Sequence, residues 1–194
     1  MIRDFALLAA RLAVGGGMAA HGAQKALGWF DGPGPEKAAG VMHGLGFRPG
    51  TTYAQLAAWN EIAAGLAIAV GLGGPAGPAA LISNMIVAQE AVHRKNGFFA
   101  QGGGIELGVM YCAASLTFAA TGFGAISLDA ALGMREKLKH PVLLALSLAG
   151  GVAAAYLVLD KRDTTPDGPA TPTYQGKNSP LEPANPPNGS PLPP

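Results

Sequence analysis

The chain is short of charge. Lys, Arg, Asp and Glu make up 13% of its 194 residues, about half the roughly 25% of an ordinary soluble domain. Neither sign dominates: 13 basic side chains face 12 acidic ones, a formal net charge of +1. No basic stripe is present to neutralise phosphates, so the pattern is not that of a nucleic-acid binder. Cysteine is scarcer still. The single Cys rules out a disulfide framework and an intrachain dithiol centre, and the sequence has no haem-attachment or iron–sulfur cysteine pattern.

What is plentiful is apolar. Hydrophobic residues make up 49%, there are 29 Gly, and mean hydropathy is +0.26. That mean is held down by the C-terminal stretch, since ten of the 16 Pro lie within residues 160–194. Such a composition does not suit a soluble globule. It suits an all-α, polytopic membrane helix bundle. Five runs approach the roughly 20 apolar residues that a bilayer helix needs: Phe5–Leu27, Tyr53–Leu72, Ala76–His93, Ile105–Thr121 and Pro141–Leu159. Shorter helices at the membrane surface are expected over Glu36–Leu45 and around Leu128–Leu138. Residues 160–194, rich in Pro, Asn, Gly, Ser and Thr, have too few large apolar side chains to offset ordering entropy, and read as a disordered or polyproline-like tail. A cleaved signal peptide over Phe5–Ala20 is disfavoured, because Arg11 splits the apolar run and Met1–Asp4 has no net side-chain charge.

Small residues fill the spans: Gly15-Gly16-Gly17, Ala63 with Ala67, Gly151 with Ala155. Spaced one turn apart in lipid, they let helix backbones approach closely. Trp29, Phe30, Tyr53 and Trp59 sit near span ends, as interfacial aromatics do.

Polar side chains inside spans are costly and mark candidate sites. The first span carries Arg11, His21, Gln24 and Lys25; the second Asn60 and Glu61; the third Asn84, Gln89, Glu90 and His93; the fourth opens on Glu106. With the N-terminus on side A, the first and third spans end on side B and the second and fourth begin there. Lys25, Glu90, His93 and Glu106 then lie within about a turn of side B, His21 one turn deeper, and Glu61 about 12 Å deep. Arg11 lies nearer side A. The simplest alternative is that Lys25, Glu90, His93 and Glu106 mark the water interface; Glu61 is too deep for that. Its carboxyl is expected within reach of His21, Lys25 or Glu106. A metal held by His21, His93, Glu61 and Glu106 lacks any local ligand spacing. Gly102-Gly103-Gly104 lacks the residues of a phosphate loop. Cys112 reads as a buried small apolar residue.

The ordered motifs Arg11-Leu12, His21-Gly22-Ala23-Gln24-Lys25, Glu61 with Gly65 and Gly71, His93, Gly97-Phe98-Phe99, Gly103-Gly104-Ile105-Glu106, Gly122-Phe123-Gly124 and Ser127-Leu128-Asp129 resemble the DoxX family. The resemblance extends over about residues 5–130. It implies a four-helix membrane domain over residues 1–130 in the plasma membrane of a prokaryote, associated with redox work such as quinone-linked oxidation. Family members often have Tyr beside the junction Glu, where this chain has Ile105 and Leu107. A connector and fifth transmembrane helix (131–159) and the Pro-rich tail (160–194) lie beyond that core.

Two functions follow as expectations. In one, the chain is a membrane redox subunit with a polar quinone-head or small-acid site built from Arg11, His21, Gln24, Lys25, Glu61, Glu90, His93 and Glu106. No cofactor is covalently bound; a quinone is the expected ligand, and electrons come from a partner. In the other, it is a non-catalytic accessory subunit of a larger membrane complex, docking through the fifth helix and tail. The partners are then the lipid membrane and other membrane or redox subunits. A small-solute transporter is less favoured, since no inverted repeat is visible. Side B and its loops carry more Lys and Arg, a slight lean towards a cytoplasmic side B.

Overall fold

In the computed structural model, residues 1–165 are described; the greater part of the expected tail lies outside the described residues. Eight α-helices follow in order: α1 (Ile2–Leu27), α2 (Gly34–Gly44), α3 (Gly50–Val70), α4 (Ala76–Ala88), α5 (Glu106–Thr121), α6 (Leu128–Ala131), α7 (Arg135–Leu138) and α8 (Pro141–Asp160). No strand occurs among the described residues; Phe47 and Arg162 form one isolated antiparallel bridge. Local chemistry sets the ends. α1 stops where Gly28 turns left-handed at φ 71°, and α3 starts after an extended Pro49. α8 opens on Pro141, a residue whose missing N–H costs nothing in a first turn, while the His140 side chain accepts from Val142 N at 3.3 Å.

Two details depart from the apolar runs. The third run divides: α4 passes into a π-helical turn, Gln89–His93, so its last polar residues sit on a widened turn. The single helix expected over Leu128–Leu138 is two short ones, α6 and α7, interrupted at Gly133 with φ 67°.

α1 packs along α3, α3 against α2 and α4, and α4 against both α5 and α8. The core between them holds Met18, Ala64, Ile68, Leu81, Met85, Phe118 and Phe123. Small residues let α1 and α3 close up. A Cβ at Gly65 would lie 2.6 Å from both the Ala19 nitrogen and the Gly15 carbonyl oxygen. The contact runs through Gly15, Ala19, Gly65 and Ala69, whereas Ala63 is exposed and Gly16 meets nothing. Gly65→Val is therefore expected to wedge the pair apart and lower unfolding free energy by about 3 kcal/mol. Gly16→Ala should leave it unchanged or slightly raised. Unfolding of the purified variants in mild detergent checks both.

Two helices, α1 and α8, are long and apolar enough to cross a membrane by length and composition. The described residues just beyond α8 are pinned to the segment before α3. Asp163 N donates to Gly46 O at 2.8 Å, Arg162 Nε donates to Leu45 O, and Arg48 Nη1 meets Asp163 Oδ2 at 2.9 Å. Hydrogen bonds from the Thr165 hydroxyl and amide, and then the Arg48 charge, hold the Asp163 carboxyl below its ordinary value. A depressed folded value stabilises above the unfolded one and is lost as pH falls through the folded one. Spin labels at positions 44 and 164 should therefore stay close at neutral pH and separate only below about pH 4.

Candidate functional site

Glu61 sits on the inner face of α3 with a side chain 3% exposed. Its Oε1 accepts from Lys25 Nζ of α1 and from Asn84 Nδ2 of α4, the latter at 2.8 Å. Three helices are thereby tied at one carboxylate. The other oxygen, Oε2, is buried with no protein partner. Tyr111 on α5 lies within electrostatic reach of Glu61, and its hydroxyl runs beside Gly17 of α1. Lys25 is 36% exposed, so its ammonium bridges this interior carboxylate to the water-facing end of α1. The arrangement can hold a charge within the bundle and offers one unfilled acceptor oxygen.

The other expected site residues are spread around this point. His21 and Gln24 are joined to each other at 3.2 Å on the exposed surface of α1, and Gln24 also donates to Phe30 O at 3.4 Å. Glu90 turns outward to Arg94 Nη1 at 2.7 and 2.8 Å. His93 Nδ1 lies 2.6 Å from Gly103 O, and Glu106 Oε2 accepts from Ala100 N at 2.8 Å. These last two tie down the loop before α5 rather than joining Glu61. Cys112 is half-buried, with Gln89 Nε2 at 3.9 Å from its sulfur. Among the described residues no group of three His, Cys, Asp or Glu side chains is placed to hold a metal ion.

Arg11 belongs to a second buried cluster. It lies fourteen residues before Lys25 on the same helix, about 21 Å along the axis. Its side chain is 1% exposed. Nη2 donates to Ile126 O at 2.5 Å, and the guanidinium carbon stands 5.6 Å from the Phe123 ring centroid. Nearby Asp129 is also buried and accepts from Gly73 N and Gly74 N, each at 2.8 Å. Asp129 N in turn donates to Gly71 O at 2.9 Å. Gly71, with φ 72°, packs directly on the Arg11 guanidinium, and no Cβ would fit there. This cluster fastens the α3–α4 turn and the segment before α6 to α1.

Asn84 and Asp129 are the residues missed by the sequence reading of the site. Asn84 was visible as a polar residue in the third run. Asp129 was visible only as a motif residue, because its partners are backbone amides, which leave no trace in residue identity.

Helices throughout the described residues, two of them long and apolar enough to cross a membrane, a buried ion pair and close small-residue helix contacts are features of the integral membrane class. The DoxX family model matches residues 6–94, from within α1 to just past the π-helical turn. The match stops before the Gly97–Glu106 junction and the Gly122–Asp129 stretch. No curated protein and no solved structure matches the chain.

Proposed function

We propose that this chain is a multi-pass subunit of a prokaryotic plasma membrane that serves redox chemistry by binding a quinone head, or a small acid of similar hydrogen-bonding power, at Glu61. The observation that carries the reading is the buried, unpartnered Oε2 of a carboxylate already fixed by Lys25 and Asn84. Helix lengths support five crossings. α3, with 21 residues, rises about 31 Å, close to the roughly 30 Å hydrocarbon thickness. α4 with its π-helical turn, α5, and the apolar helices α1 and α8 complete the set.

A carboxylate with one free oxygen can accept a hydrogen bond from a quinol hydroxyl and take one of the two protons released as the quinol is oxidised, the other passing to water. In the reverse direction it returns that proton. Lys25 balances the carboxylate's charge before the proton arrives. The two electrons go to or come from a partner protein, since the sequence has no dithiol, haem or iron–sulfur pattern.

Quenching of Trp29 and Trp59 fluorescence by a short-chain ubiquinol, kept reduced, tests this. The purified protein should bind it, and Glu61→Gln should weaken binding at least tenfold, about 1.4 kcal/mol. Unchanged binding in Glu61→Gln would make the Lys25–Glu61–Asn84 contact a packing clasp. The chain would then read as an accessory subunit docking through α8 and the residues after it.

A further inference from the structure

α8 packs on α4, and together with α3 they line a groove of about 500 Å³. That volume falls in the range of clefts that take small molecules, roughly 300–1,000 Å³. Most of the lining is small and apolar: Ala57 from α3, Ala76, Ala79 and Ala80 from α4, Gly151 and Ala154 from α8. α8 lies this close because position 151 is Gly, where a Cβ would stand 2.6 Å from Ala79 O. The short side chains around that contact leave space that larger ones would fill.

Polar groups in the lining are few, and one of them leads out of the groove into the bundle. Asn60 Nδ2 is engaged by Ala80 O at 3.0 Å. Asn84 also lines the groove, and its Nδ2 donates to Glu61 Oε1 at 2.8 Å. Asn84 therefore belongs both to the groove wall and to the set of partners around Glu61. An amide carries two hydrogens and an acceptor oxygen, and only one of those hydrogens is used among the described residues. Next to Asn84 is the buried Glu61 carboxylate with its unpartnered Oε2. From Asn84 the groove continues along α4 to Ala76, about 12 Å. A polar end at Asn84 and an apolar length beyond it suit a molecule with a small polar head and a hydrocarbon chain.

We propose that the groove holds the prenyl chain of the same quinone whose head meets Glu61, with Asn84 at the junction of head and chain. The inference rests on the reading of Glu61 given above and adds the place of the ligand's chain. The chain runs from Asn84 towards Ala76, between α4 and α8. A prenyl chain carries a methyl branch at every fourth carbon and is broader than a straight alkyl chain, and walls of Ala and Gly leave that breadth. One wall is α8, which lies outside the family match, so the chain's place is a feature of residues beyond that match.

The test compares two reduced quinols on the full chain in mild detergent, ubiquinol without a prenyl chain and ubiquinol with two prenyl units, read by tryptophan quenching. Each quinol is compared with itself between variants, so partition into detergent cancels. Ala154→Phe, at an exposed position in the groove, should weaken the prenylated quinol about tenfold and leave the chain-free one unchanged. Leu146→Phe, on α8 but outside the groove lining, should change neither. Glu61→Gln should weaken both. A loss confined to the prenylated quinol in Ala154→Phe, with no loss of either in Glu61→Gln, would keep the chain in the groove and overturn the reading of Glu61 instead. Equal weakening of both quinols by Ala154→Phe at an unchanged melting temperature, or of neither, would overturn the proposal. A second measurement needs no substitution. A prenylated ubiquinol with a diazirine at its chain end should crosslink the unaltered protein within residues 76–87 and 147–158. Crosslinks on α1, or on residues after 165, would place the chain elsewhere and overturn it too.

Discussion

Lys25→Met should destabilise the protein by about 3 kcal/mol, near the low end of the range for breaking a buried ion pair. The reason is asymmetry. Glu61, 3% exposed, cannot reach water when its partner is removed, whereas Lys25, 36% exposed, can. Glu61→Gln should therefore cost only about 1 kcal/mol, since the amide oxygen still accepts from Asn84. Combining the two substitutions should recover most of the Lys25→Met loss, because no uncompensated charge is left inside. Denaturant unfolding of the three variants measures the coupling directly. Strict additivity, or a Glu61→Gln loss larger than that of Lys25→Met, would mean that the pair is not the interior contact described here.

An effect of similar size is expected at the opposite end of the bundle. Asp129 satisfies two buried amides, those of Gly73 and Gly74, and stands close to the Arg11 charge. Asp129→Ala removes both acceptors at once and leaves the Arg11 cation without its nearest carboxylate. At about 1–3 kcal/mol for each orphaned group, the loss should reach about 4 kcal/mol. Asp129→Asn keeps one acceptor oxygen and should lose roughly half as much. Amide hydrogen exchange gives a local reading: Gly73 and Gly74 should lose protection in Asp129→Ala well before the α1–α3 contact does. If those amides stay protected, another group satisfies them and the cluster is not the fastening it looks like.

The two clusters were unequally legible. Depth in the second span was enough to single out Glu61, and the antiparallel order of the spans brought Lys25 to the same layer. The same depth argument over-collected. Glu90, His93 and Glu106 do lie near that layer, yet they bond to Arg94, to Gly103 O and to Ala100 N. Depth fixes height along a helix but not the direction a side chain takes. The π-helical turn at Gln89–His93 carries Glu90 and His93, and an apolar run carries no signal for it. Helix ends were easier, because Gly28, Pro49 and Pro141 mark them by backbone preference alone. Arg11 was rightly an outlier in depth, but its counterpart could not be found from residue types: Asp129 lies more than a hundred positions away and bonds to glycine amides. The docking of Asp163 on Gly46 was likewise hidden, since it runs through backbone atoms within a segment whose composition suggests no structure.

The central claim is that Glu61 takes part in proton exchange with a redox ligand inside the bundle. Infrared difference spectra of the full-length protein, recorded between the quinone and quinol forms of an added short-chain ubiquinone, test it most directly. With ¹³C-labelled glutamate, the account predicts a shifted carboxyl band on quinone turnover in the unaltered chain and its disappearance in Glu61→Gln. A spectrum with no labelled carboxyl band, or with the same band in both proteins, would contradict it.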